Sequence, residues 1–222
     1  TWLSNEDFTS ELVIPNYGKG DLKNTIVHWK VVKNGKELLS DSIRADLLPQ
    51  GQVASCGTIC FPLKQFTEKA TQFEIILNAP SLGIENKYKV WAYPEKLPDE
   101  PKNIIISREA TPELLQSIEE GATVLLVPKS KYDGERMTFA TPFWSTLMFD
   151  YQPKTMGIVC NPEHPVFTDF PTDFHSDWQW WELTNNTYVA RINDTPSDYR
   201  PLLQVIDHPV RNDKLGAIME TR

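Results

Sequence analysis

The residues best suited to chemistry crowd into one stretch, Phe170-Pro-Thr-Asp-Phe-His-Ser-Asp-Trp-Gln-Trp-Trp181, which holds three of the seven tryptophans, His175 and two aspartates. Aromatic faces stack on the C–H faces of sugars, while Asp, His, Asn and Gln exchange hydrogen bonds with hydroxyls. His175, Asp177, Trp178, Trp180 and Trp181 are therefore the candidate contacts for a neutral polyol. The same indoles are large core pieces that can pin a long loop or a domain interface. Sequence alone weights packing above ligand contact, and both readings stand.

Cys160 ends the apolar run Met156-Gly-Ile-Val-Cys160, and His164 follows four residues on. A nucleophilic thiol needs a nearby base and a sharp turn that exposes its sulfur. Ile158 and Pro162 occupy the positions where such an elbow carries glycine. Cys160 thus reads as a buried, inert thiol, and a Cys-dependent hydrolase or amidotransferase is the weakest alternative. Cys56 and Cys60 fall on one face of one expected strand, roughly 13 Å apart and too far to bridge. No further Cys or His lies within 25 residues of either, so no zinc set is available and both read as core thiols. No metal or cofactor is expected. Asp169, Asp173 and Asp177 would be the carboxylates for glycoside hydrolysis, but loop aspartates commonly bond their own backbone, and no catalytic residue is assigned. Asp207-His208-Pro209 likewise reads as a strand-ending turn. Asn185-Asn-Thr187 and Asn193-Asp-Thr195 fit the glycosylation acceptor pattern.

Two different patterns position these residues. Residues 9–17, 25–33, 37–47, 52–63, 71–78 and 86–93 alternate apolar and polar side chains, as half-buried strands do. Val27, Trp29 and Val31 share one face there, Phe73, Ile75 and Leu77 another, and Asn34-Gly35 supplies a tight hairpin turn. Six strands in so short a span predict a β-sandwich of immunoglobulin-like size. The proline-rich run Tyr93–Lys102 reads as a linker. Beyond it Asn103–Ser107 and Val124–Val127 are continuous apolar runs of the kind that form strands buried on both faces. Between them Thr111 caps a helix with Pro112 in its first turn and Gly121 at its end, which predicts a parallel βαβ unit. With further strands at 156–160, 202–207 and 215–220, the second half reads as an α/β layer fold. The expected division is 1–97 and 98–222.

Charge divides at the same place. Residues 1–97 carry 11 Lys+Arg and 11 Asp+Glu, so 98–222 carry 11 and 19 and hold the whole net charge of -8. An acidic half without a basic cluster argues against nucleic acid, because phosphate binding relies on basic groups. No apolar run approaches the roughly 20 residues that span a bilayer, so membrane insertion is not expected. The chain starts Thr1-Trp-Leu-Ser-Asn5 without Met or signal peptide, and Leu215–Arg222 stops inside an expected strand. It reads as a piece of a longer protein, truncated at its C-terminus.

Several ordered motifs resemble a known family. Val13-Ile-Pro-Asn-Tyr-Gly18, Asp21-Leu-Lys-Asn24 with Val27-His-Trp29, Asn34-Gly-Lys36, Leu48-Pro-Gln-Gly51 with Gly57-Thr-Ile59, and Asn86 through Trp91 to Tyr93-Pro94 resemble one module. It is the immunoglobulin-like module near the C-terminus of β-galactosidase-like enzymes of glycoside hydrolase family 2. The second half, through Gly121–Leu126, Pro142-Phe-Trp144, Gly157–Pro165 and Phe170–Trp181, is similar to the domain that follows in Bacteroides-type members, which resembles class I glutamine amidotransferases. The resemblance implies a non-catalytic accessory region of a polysaccharide-degrading hydrolase. Its partner would be a catalytic TIM barrel of the same polypeptide, with a periplasmic or cell-surface location; contact with neutral oligosaccharide rests on the aromatic run and does not transfer from the family. The alternative is a carbohydrate-binding module centred on the aromatic run.

Overall fold

The computed structural model describes residues 1–96, 98, 99, 101–128, 134–145, 148, 149, 152–185 and 187–221. Leu97 and Glu100 of the expected linker, and Asn186 of one glycosylation pattern, lie outside the described residues. The chain forms two compact units, Thr1–Leu97 with Asp169–Pro171, and Pro98–Thr168 with Thr172–Arg222.

The first unit consists of β1 (Trp2–Leu3), β2 (Asp7–Asn16), β3 (Leu22–Lys33), β4 (Lys36–Leu48), β5 (Gln52–Pro62), β6 (Thr71–Ala79) and β7 (Ile84–Tyr93). They pair as a five-stranded sheet in the order β1-β7-β6-β3-β4 and a two-stranded sheet β2-β5. Period-two alternation drives this arrangement. Trp29, Val31, Phe73 and Ile75 from the larger sheet meet Phe8, Ile59 and Phe61 from the smaller in one buried cluster. Each such side chain contributes roughly 1.5–3 kcal/mol on leaving water. Asn34 and Gly35 take φ of 50° and 76°, the left-handed pair that closes the β3–β4 hairpin.

One feature of β5 escaped the alternation rule. The β2–β5 register slips between Leu12 and Val13, leaving Cys56 as an extra residue beside Gly57 at φ 139°. This bulge breaks the parity between Cys56 and Cys60. Cys56 is half-buried, and Cys60 is exposed rather than a core thiol.

In the second unit β8 (Ile104–Ser107), α1 (Pro112–Glu119) and β9 (Thr123–Leu126) form the expected parallel βαβ unit. Thr111 caps α1, its hydroxyl accepting the Leu114 N–H at 3.2 Å. The two strands are not buried on both faces, however. Ile105, Ile106, Leu125 and Leu126 are exposed, because an apolar run reports composition and not what covers it. The remaining strands are β10 (Gly134–Arg136), β11 (Thr155–Cys160), β12 (Tyr188–Arg191), β13 (Leu203–Asp207) and β14 (Leu215–Ile218). They form one sheet in the order β10-β12-β14-β13-β11, with every pair antiparallel. The expected amidotransferase-like, mainly parallel α/β domain is thereby corrected. Parallel neighbours need long crossovers, usually helical, and among the described strands of this unit only β8 and β9 pair in parallel.

A charge network ties this sheet together at one end. The Asp207 carboxylate, with its side chain 1% exposed, closes β13 and receives a bidentate Arg211 guanidinium. It also accepts the backbone N–H groups of His208 at 2.9 Å and Asp213 at 2.8 Å. Arg211 and Arg191 both reach Glu135 on β10, and Arg191 Nε donates to Asp213 at 2.6 Å. Burial alone would raise the Asp207 carboxyl, but Arg211 and the two backbone donors outweigh it and hold it below the ordinary carboxylate range. Asp213 is held low by Asn193 and then Arg191.

Carboxyls depressed by folding add stability above their unfolded value, about 3.9, and lose that contribution as pH falls through it toward the folded value. Thermal unfolding should therefore shift steeply downward below about pH 4. In Asp207→Asn that acid slope should flatten, with a loss of about 2 kcal/mol near neutral pH, because Arg211 keeps Glu135 but loses its bidentate, charge-assisted bonds. An unchanged slope in the variant would refute the assignment.

Candidate functional site

The edge strand β11 builds the site. Gly157, at φ 116°, sits where the β11 register shifts, and Ser176 Oγ lies 3.1 Å from the position a Cβ would take there. The chain from Asp173 to Ser176 runs antiparallel along this strand. Cys160 N–H donates to the Phe174 carbonyl at 3.0 Å, Cys160 Sγ to the Asp173 carbonyl at 3.3 Å, and Val159 bridges His175. Asp177 then ends the extended segment. Its carboxylate accepts the Trp178 N–H at 2.8 Å, capping a 3-10 turn, Trp178–Trp180, that runs into α2 (Trp181–Thr184).

This turn separates the three indoles. Trp180 points inward and is 3% exposed. Its Nε1 donates to Thr172 Oγ1 at 2.9 Å, and its ring meets Phe167 edge-on at 6.3 Å. Trp178 and Trp181, three residues apart, share the outer side, where residues i and i+3 of a 3-10 turn eclipse. They are 67% and 47% exposed, with ring centroids 6.0 Å apart and planes tilted by 36°. Phe139 supports both, stacking on Trp178 at 5.3 Å and meeting Trp181 edge-on at 5.3 Å. Its backbone N–H donates to Asn185 Oδ1 at 3.2 Å, just beyond α2. The result is an aromatic platform with two exposed indoles. His175 is exposed beside it in sequence, its Nδ1 3.0 Å from the Ser176 carbonyl and its ring edge-on to Phe174.

Sequence reasoning missed Phe139, which lies far from the tryptophans along the chain. A usable signal was present. Met137–Ser145 carries Phe139, Phe143 and Trp144 without one charged residue.

The other sequence candidates fill structural positions. Burial first, and then the Asp173 charge, push the Cys160 thiol above its ordinary range, which disfavours the thiolate a nucleophile needs. His164 spends Nδ1 on the Val166 N–H at 3.3 Å and holds Nε2 3.5 Å from Glu220. Asp207 is the network carboxylate already described. Both acceptor asparagines of the glycosylation patterns are engaged: Asn185 holds Phe139, and Asn193 bonds Asp213 at 2.9 Å and the Lys214 N–H at 2.7 Å. Among the described residues no group of three or more His, Cys, Asp or Glu side chains is arranged to hold a metal ion.

Two outcomes test this division of roles. Trp180→Ala should cost about 3–5 kcal/mol in urea unfolding, as expected for a large aromatic removed from a packed interior. Trp178→Ala should stay within about 0.5 kcal/mol of the parent; equal losses would mean that both indoles pack. With iodoacetamide, Cys60 should alkylate in the folded protein and Cys160 only on unfolding. Prompt modification of Cys160 would contradict its raised, buried thiol.

Residues 6–94 match a family profile described as a domain of unknown function, DUF8488. No curated protein matches the chain in sequence. A second profile, also described as a domain of unknown function, covers residues 105–222, more than half of the chain and the whole aromatic platform. The chain therefore belongs to the DUF8487 family.

Proposed function

We propose that this chain is a non-catalytic accessory region of a polysaccharide-degrading glycoside hydrolase of the family 2, β-galactosidase-like type, and that its second unit contacts neutral oligosaccharide. One observation carries the carbohydrate reading: two indoles lie open to solvent on a turn fixed from beneath by a third, buried one. An exposed aromatic pair forgoes burial worth roughly 1.5–3 kcal/mol per large side chain. A rigid mount without a covering layer suits a surface that stacks on a ligand. Charge narrows the ligand class, since the acidic second half repels polyanions and leaves neutral or cationic partners.

The order β1-β7-β6-β3-β4 against β2-β5 supports an immunoglobulin-like reading of the first unit. In such a protein that unit would act as a spacer and buttress for a catalytic barrel elsewhere in the polypeptide. A periplasmic or cell-surface location goes with this role. The raised thiol of Cys160 and the turn-forming role of Asp177 give no support to catalysis within the chain.

Calorimetric titration with neutral galactose-containing oligosaccharides should give dissociation constants of about 1 mM, or about -4 kcal/mol. Trp178→Ala or Trp181→Ala should weaken binding at least about tenfold, equivalent to about 1.4 kcal/mol. Titrations that stay flat across neutral oligosaccharides of every common backbone would overturn the carbohydrate reading.

A further inference from the structure

Trp178 and Trp181 are not the only exposed aromatics among the described residues of the second unit. Phe139, which touches both, opens a segment that carries two further exposed aromatics: Phe143, 86% exposed, and Trp144, 59% exposed. Their ring centroids lie 6.0 Å apart with planes tilted by 42°, close to the spacing and tilt of the tryptophan pair. Four residues of extended chain span at most about 14 Å, so the Phe143 backbone stays within that distance of Phe139.

The segment is held at both ends. Thr138 N–H donates to Thr155 Oγ1 at 3.0 Å and Phe139 N–H to Asn185 Oδ1 at 3.2 Å, while at the far end Phe143 N–H donates to Gln152 Oε1 at 2.9 Å. No charged residue interrupts Met137–Ser145. A nucleic acid strand would require basic groups along such a run, and a charged peptide would require complementary charges. A neutral chain of repeating units requires neither.

We infer that Trp178–Trp181 and Phe143–Trp144 are two subsites of one continuous strip, joined through Phe139, that takes a linear neutral oligosaccharide of several units rather than a mono- or disaccharide. This inference rests on the carbohydrate reading above and adds ligand length to it. Each pair stacks one part of the chain. Occupying the first subsite raises the effective concentration of the same chain at the second, so affinity grows with length until both pairs are covered.

The test uses the full chain and matched disaccharide and hexasaccharide pairs of neutral β-linked glucan, galactan, xylan and mannan. For at least one backbone the hexasaccharide should bind ten or more times tighter than its disaccharide. The double variant Phe143→Ala, Trp144→Ala should erase that advantage, bringing hexasaccharide affinity to within about twofold of the disaccharide's. Circular dichroism should show the parental fold, since both side chains are exposed. Equal affinity for the two lengths in every backbone that binds, or a length advantage that survives the double variant, overturns the strip and leaves the carbohydrate reading standing. Absence of binding by every hexasaccharide overturns both.

Discussion

A single buried carboxylate constrains the second unit more than any other group. Asp207 sits at the end of β13 with its side chain almost wholly removed from water, and an isolated charge there would cost several kcal/mol. Its four acceptor sites are filled by Arg211 and by the backbone of His208 and Asp213. The arginine that neutralises Asp207 also carries charge toward Glu135, and Arg191 links Glu135 to Asp213. Four elements are thereby fixed at one end of the sheet: β10, the end of β12, the end of β13 and the approach to β14. A hydrophobic core of modest size can hold five short strands when polar groups of fixed geometry set their ends. The pairing is directional, so it selects one register where short, partly exposed strands would otherwise select it weakly.

The aromatic platform depends on this sheet through β11. Strand β13 pairs with β11, and β11 in turn holds Asp173–Ser176 along its free side. Trp180 then converts a backbone position into a side-chain position. With its ring buried and its Nε1 donating to Thr172, the 3-10 turn cannot rotate, and the indoles on either side of it in sequence must face outward. The glycine at 157 matters here for one reason. A Cβ at that position would meet Ser176 Oγ at 3.1 Å, and φ of 116° is a conformation that side-chain-bearing residues rarely adopt.

Sequence periodicity made the first unit largely legible. All six strands expected from alternation formed, and the period of two is clearest where one face is buried against the other sheet, as in β3 and β6. Asn16 and Gly51, drawn from two of the short motifs, close turns: Asn16 Nδ2 bonds the Leu48 carbonyl at 2.9 Å, and Gly51 N–H bonds the Asn16 carbonyl at 2.7 Å. Such motifs therefore report loop geometry rather than chemistry. The second unit was less legible for a physical reason. Strands of three to six residues, such as β10 and β12, carry too few positions to show a period. Strand direction is set by connections and by long-range ion pairs such as Arg211–Glu135, and these leave no local trace. The tryptophan cluster was visible as composition, but which indole turned inward was decided by side-chain contacts of Trp180 with Thr172 and Phe167, which follow no helical or strand period.

Exposed apolar side chains of two kinds stand out among the described residues of the second unit, and their chemistry separates them. The exposed apolar side chains of β8, α1 and β9 are aliphatic, among them Ile105, Ile106, Leu115 and Leu125. Branched aliphatic side chains gain only by leaving water, so they favour a dry, extensive covering and offer a hydrated ligand no directional contact. The surface around Phe139 is aromatic. Flat rings with a negative face attract the slightly positive C–H groups of a sugar. A ligand that stays mostly solvated can be held by such a surface at modest affinity without a deep cavity. The open tryptophan pair is consistent with that mode, and the aliphatic surface is not.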